Sequence, residues 1–101
     1  EIGEGYRDMT TRLMRWDIGE HLNSEEQIAA YLEVVFADGD VDEIRRALGH
    51  VARARGMTEI AAKAGLTRAG LYKALGEGGN PSFATVNAVL KALGVRLRVA
   101  A

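Results

Sequence analysis

Arg68, Tyr72 and Lys73 fall at i, i+4 and i+5, which sets a guanidinium, a phenol and an ammonium along one exposed side of a helix. These groups suit nucleic acid. A guanidinium donates two parallel hydrogen bonds to guanine O6 and N7. A lysine reaches a base edge or a phosphate, and a phenol donates to phosphate or stacks. Ala69 and Gly70 are small enough for close approach to a groove, and alanine can meet a thymine methyl. Thr67 has the makings of both a helix N-cap and a phosphate donor. The loop Gly78-Gly79-Asn80 offers backbone amides for a phosphate, although glycines before Pro81 equally make a simple turn. Tyr72 likewise either faces nucleic acid or packs on the final helix. The candidate DNA-binding residues are thus Thr67, Arg68, Ala69, Gly70, Tyr72, Lys73 and Asn80.

Two short apolar-patterned stretches would position them, Met57–Ala64 and Leu66–Leu75, separated by Gly65. The first offers Ile60, Ala61 and Ala64 to a core, the second Leu71, Ala74 and Leu75. Ala61 precedes Gly65 by four residues and Leu71 by ten. That spacing fits two helices crossing steeply over a tight turn. A small side chain lets the backbones approach, glycine accepts positive φ, and a branched apolar residue fills the angle. The pattern reads as a helix-turn-helix, and a purely structural helical corner would need the same small residues.

The charge distribution agrees with a nucleic-acid face on this half of the chain. The 101 residues carry a net charge of only −1. Residues 1–50 hold five arginines against twelve acidic residues, a formal −7. Residues 51–101 hold eight lysines and arginines against Glu59 and Glu77, a formal +6. Attraction to phosphate depends on local positive potential, not on the sign of the whole chain.

Other classes of chemistry find little support. There is no cysteine, hence no disulfide framework and no thiolate metal site. No apolar run approaches the length of a membrane span, and no secretory segment is evident, so a cytoplasmic location is expected. His21 and His50 are the only histidines and belong to different helical segments, with no HExxH, nucleophile elbow or phosphate-loop motif. Glu25-Glu26 begins a helix, where acidic charge complements the dipole. Gly76–Gly79 follows a helix instead of a strand, the wrong context for a nucleotide loop. Neither an enzyme nor a bound cofactor or metal is expected.

The rest of the chain supplies the supporting helices. Asp17 can cap a short helix over Ile18–Leu22. Ser24 with Gln27 makes a capping box for a helix with Ile28, Tyr31, Leu32, Val35 and Phe36 on one face, ending at Gly39. Asp40 with Glu43 starts another, with the stripe Val41, Ile44, Leu48 and Val51, stopping at Gly56. After the helix-turn-helix, Ser82 caps a final helix with Val86, Val89, Leu90 and Leu93 on one face, closed by Gly94. Val95–Val99 alternates apolar and basic residues, a short strand pattern. Residues 1–16 read as an N-terminal extension, with Met9 as a natural start and Glu1–Asp8 as a remnant or upstream extension. Residues 17–101 read as one domain.

The order of helices from Asp40 to Leu93 is that of a lambda-repressor-like domain. The runs WDIGEHLNSEEQIAAYLEVVFADGD, ARARGMTEIAAKAGLTRAGLYKAL and GNPSFATVNAVLKALGVRL resemble the addiction-module antidote proteins, HigA-like antitoxins with a Cro/C1-type helix-turn-helix. The likeness spans Trp16 to Val99. Its most specific pieces are Leu71-Tyr72-Lys73-Ala74-Leu75 and Gly79-Asn80-Pro81-Ser82. It implies an autoregulator that binds double-stranded operator DNA and neutralises a cotranscribed toxin of the RelE/ParE type, a compact basic protein. Two departures stand out. Thr58 and Ile60 are two apart where many Cro/C1-type domains have four, and Ala74 stands where a larger aliphatic is common.

The expected fold is thus all-α, a lambda-repressor-like helix-turn-helix domain with extra N-terminal helices and a short C-terminal strand. The strand has no evident partner in the chain, and pairing with a second copy would satisfy its backbone, so a homodimer is expected. The tail pairing instead with the toxin is the alternative. Two further readings remain open at the level of sequence. One is a phage-repressor-like regulator without a toxin. The other is an interaction module whose acidic helices bind a basic partner, with the helix-turn-helix as scaffold.

Overall fold

Four of the five described helices begin where a short polar side chain takes up free backbone amides; the one that follows Gly56 has no side-chain cap. In the computed structural model, which describes residues 24–101, Ser24 Oγ accepts from the Gln27 amide at 3.1 Å while Gln27 Oε1 accepts from the Ser24 amide at 3.3 Å. This reciprocal box opens α1, Glu25–Asp38, which ends at Gly39 with φ +79°. Asp40 Oδ1 accepts from the amides of Asp42 and Glu43 and opens α2, Val41–Arg55. Gly56 separates it from α3, Met57–Ala64. Thr67 Oγ1, accepting from the Gly70 amide at 2.9 Å, opens α4, Arg68–Leu75. Ser82 Oγ, accepting from the Thr85 amide at 3.1 Å, opens α5, Phe83–Ala92.

The turn between α3 and α4 is a glycine-dependent Schellman closure. Gly65 takes φ +74°, its amide bonds the Ala62 carbonyl at 3.2 Å, and the Leu66 amide bonds the Ala61 carbonyl at 2.8 Å. The positive φ read from the sequence at Gly65 is therefore required. α5 ends in the same way: the Gly94 amide bonds Lys91 and the Val95 amide bonds Leu90, both at 3.0 Å.

α3 lies at the centre, packed by α2, α4 and α5, and α1 lies against α2. Ile28, Leu48, Val51, Leu71 and Val89, one or two from each of α1, α2, α4 and α5, are completely buried, with Met57, Ile60 and Ala61 of α3 beside them. The stripes read from the sequence supply this core, with one correction. Val41 is 72 % exposed, because it is the first residue of α2 and lies beyond the body that Ile44 and Leu48 reach; Ala47 and Ala52 complete the buried face instead.

The expected C-terminal strand is not formed. Among the described residues there is no strand, and Val95–Val99 follows α5 as irregular chain with Leu97 and Val99 exposed. The alternation of residue types alone does not make a strand; a ladder needs a second edge, and the described fold is entirely helical. The short helix expected over Ile18–Leu22 and the extension over residues 1–16 lie outside the described residues.

Candidate nucleic-acid interface

α4 buries Leu71 and Leu75 and leaves Thr67, Arg68, Ala69, Gly70, Tyr72 and Lys73 exposed. Six of the seven candidate residues are therefore accessible on α4 or at its N-cap. By helical geometry Ala69 and Lys73, four apart, form the central row of the exposed side, and Arg68 and Tyr72 form the adjacent row nearer the core. Asn80 is exposed in the loop beyond the helix, at its Lys73 end. Gly79 lies against the carbonyls of Lys73 and Ala74, so the loop that carries Asn80 leaves from the C-terminal end of α4. Thr67 and Arg68 are at the opposite end, about 12 Å away by helical rise.

Arg68 and Tyr72 interact. The Arg68 guanidinium lies over the Tyr72 ring, 5.4 Å from its centroid, and one Nη donates to the phenolic oxygen at 3.5 Å. Tyr72 is 41 % exposed, so part of its surface is open to solvent and part is covered. The contact steers the arginine. A guanidinium stacked on a ring still has donors free along its edge, and the stacking restricts the conformations it must give up on binding. Lys73, by contrast, projects from the exposed face.

The sequence reading missed what holds α4 in place. Arg45, on α2 and only 5 % exposed, donates through Nη1 to the carbonyls of Gly76 at 2.5 Å and Leu75 at 3.2 Å. These are carbonyls that the end of a helix leaves without intrahelical donors. The positive charge also complements the negative end of the helix dipole. Arg45 Nε faces Asp42 Oδ1 at 3.8 Å, close enough for ion pairing and too long for a hydrogen bond. Gly49, one turn further along α2, comes so near Leu75 that an added Cβ would stand 3.4 Å from its carbonyl oxygen. A signal existed: Arg45 precedes Leu48 by three residues and Ala52 by seven, on the buried side of the helix.

Along α2, Arg46, His50 and Arg53 recur at i, i+4 and i+7, so they lie on one side of that helix. Partial burial lowers the His50 pKa from 6.5, and the charges of Arg53 and Arg46 lower it further. Across residues 44–101 there are ten lysines and arginines against Glu59 and Glu77. Glu59 pairs with Lys63 at 3.1 Å. The described residues hold no group of acidic or histidine side chains arranged for a metal ion, and no helix among them is long and apolar enough to cross a membrane.

Comparison with known proteins gives a family. Residues 12–101 match the family described as "Probable addiction module antidote protein". A protein of Haemophilus influenzae (strain Rd), titled "Uncharacterized protein", is 50 % identical over 91 residues, covering 90 % of this chain and 94 % of the relative. No solved structure matches. With nearly its whole length matched, the chain belongs to the addiction module antidote family.

Proposed function

We propose that this protein is a DNA-binding antitoxin that represses its own operon through α4 and neutralises a toxin of the RelE/ParE type. The observation that carries the DNA-binding part is the surface of α4. A glycine-closed turn sets this helix across α3, Arg45 anchors its far end, and its free face presents Arg68 beside Tyr72 and Lys73 beside Ala69. A helix so exposed, with small residues between the cations, fits the width of a major groove. Membership of an antidote family supports the toxin. The HigA-like, Cro/C1-type likeness supports the autoregulation and the RelE/ParE class. A cytoplasmic site of action accords with both.

A single module of this size covers one half-site, and two copies one helical turn apart would supply the affinity of a repressor. We assign the homodimer contact to the C-terminal segment, whose Leu97 and Val99 are exposed and whose backbone is open to a second strand. Sedimentation of the intact protein and of a form lacking residues 95–101 tests this. A monomeric intact protein, or a dimer that survives the truncation, overturns it.

The test of DNA binding is titration of the protein against its own promoter region. Arg68→Ala is expected to cost about 1–3 kcal/mol, the value of one good bidentate base contact. Lys73→Ala is expected to weaken binding and, where it meets phosphate, to lower the salt dependence by about one counterion. Equal affinity of the double variant and the parent rules out α4 as the reading helix. Absence of binding by the parent rules out the repressor.

A further inference from the structure

One side of α1 is exposed and apolar, and no helix among the described residues packs on it. α1 packs Ile28, Leu32 and Val35 inward. On its outward side Ala30, Val34 and Ala37 recur at i, i+4 and i+7, all exposed, with Val34 at 72 %. Val41, at the start of α2 just past the turn, is exposed to the same extent. A solvated helix face is better served by lysine, glutamate or glutamine than by valine, whose branched side chain loses rotamer freedom in a helix.

The charge around this apolar strip has one sign. Residues 24–43 contain Glu25, Glu26, Glu33, Asp38, Asp40, Asp42 and Glu43, without a single lysine or arginine. Glu33 and Asp38 meet no cation among the described residues. α4 packs on α2 and α3, while α1 lies on α2, so the two surfaces belong to different parts of the fold.

We propose that this acid-rimmed apolar face of α1 and the start of α2 is where the toxin docks, against a basic surface with apolar contacts at its centre. The inference rests on the antitoxin reading and adds the surface to it. Complementary charge selects the occupant: a basic protein gains from the acidic rim, whereas DNA is repelled by it. Leu97 and Val99, also exposed, alternate with Arg96 and Arg98 and would repel the same partner, and Phe83 stands exposed at the start of α5 without acidic neighbours in the sequence. Because the toxin face and α4 are separate, toxin binding leaves the DNA-reading residues uncovered.

The experiment uses the full chain and, as probe, the purified product of the open reading frame adjacent to its own gene. Glu33→Lys combined with Val34→Lys reverses the rim and removes the apolar centre at two exposed positions. Its affinity for the probe is expected to fall at least about 30-fold, in line with losing a central contact of an interface. Association by the parent is expected to slow as salt rises. Val34→Ala with Val41→Ala, which keeps every charge, is expected to weaken binding without that change in salt dependence. Phe83→Lys, at the exposed start of α5, is expected to bind as the parent does, and all three variants to melt as the parent does. A parent that fails to bind the probe overturns the antitoxin reading itself. A parent that binds while Glu33→Lys with Val34→Lys binds equally well overturns only the docking face. Conversion of a dimer to a monomer by that same variant assigns the face to a second copy of this chain and also overturns the proposal.

Discussion

The guanidinium of Arg45 ends α4: its Nη1 donates to the carbonyl of Gly76 at 2.5 Å and to that of Leu75 at 3.2 Å, from a helix thirty residues earlier in the chain. The α2 side chain thereby ties down the end of α4, the helix proposed to read DNA. Arg45→Met keeps most of the buried stem and removes the donors, leaving the Leu75 carbonyl at a buried helix end without its side-chain partner, while the Gly76 carbonyl keeps the Gly79 amide at 2.9 Å. A loss of about 1–3 kcal/mol is expected, the cost of leaving such a group unsatisfied. In a domain of this size each kcal/mol moves the melting temperature by about 4–8 °C. Arg45→Lys, which keeps the charge but not the fork, is expected to fall between the two. Thermal melts of the three proteins decide it; an unshifted Arg45→Met shows that water caps α4 equally well.

Ala61 lies buried where α3 leads into the turn to α4. It is 2 % exposed and its carbonyl accepts from the Leu66 amide, so neither its side chain nor its backbone can withdraw. Ala61→Leu adds three carbons where α3 is packed on three sides and is expected to cost about 1–3 kcal/mol. Urea unfolding with an unchanged midpoint would place the crossing elsewhere.

These two residues show what the sequence could and could not disclose. Ala61, Gly65 and Leu71 were legible because a tight crossing needs a small residue, a positive φ and a branched filler at fixed spacing. The caps at Ser24, Asp40, Thr67 and Ser82 were legible because each is a local hydrogen bond within three residues. Arg45 was not, since its partners lie thirty residues away and only tertiary packing brings them together. The packing of Gly79 on the end of α4 has the same origin, because a loop's direction depends on what it packs against. Val95–Val99 misled in the opposite way: its alternation is real, but a strand is a property of a pair.

Gly79 is expected to be intolerant although its φ is ordinary. A Cβ there would fall within 2.6 Å of the Lys73 carbonyl oxygen and closer still to that of Ala74. Backbone atoms at a helix end cannot swing aside as a flexible side chain does, so the loop itself must lift from α4. Gly79→Ala is expected to destabilise by about 1–3 kcal/mol, in the range of overpacking. Gly78→Ala, strained at φ +74° but with open space around it, is expected to cost less than about 2 kcal/mol. Melts of the two single variants give the order directly, and Gly79→Ala as stable as the parent would mean that the loop does not rest on α4.

His50 gives the fold a pH dependence whose sign follows from its surroundings. Partial burial, then Arg53 and Arg46, hold its pKa below the 6.5 of the unfolded chain. The folded protein thus binds a proton at His50 less readily than the unfolded chain does. Stability rises with pH wherever the unfolded state holds more protons. The contribution is therefore fully present above pH 6.5 and is lost as the pH falls through the lower, folded pKa. His50→Gln keeps a polar side chain of similar size and cannot take up the proton. Urea midpoints measured between pH 5 and 8 are expected to fall on acidification for the parent and to fall less for His50→Gln. His21 is common to both proteins and cancels in the comparison. Parallel curves for the two would mean that protonated His50 is accommodated between its arginines at no cost, and that the acid sensitivity of the fold arises from other groups.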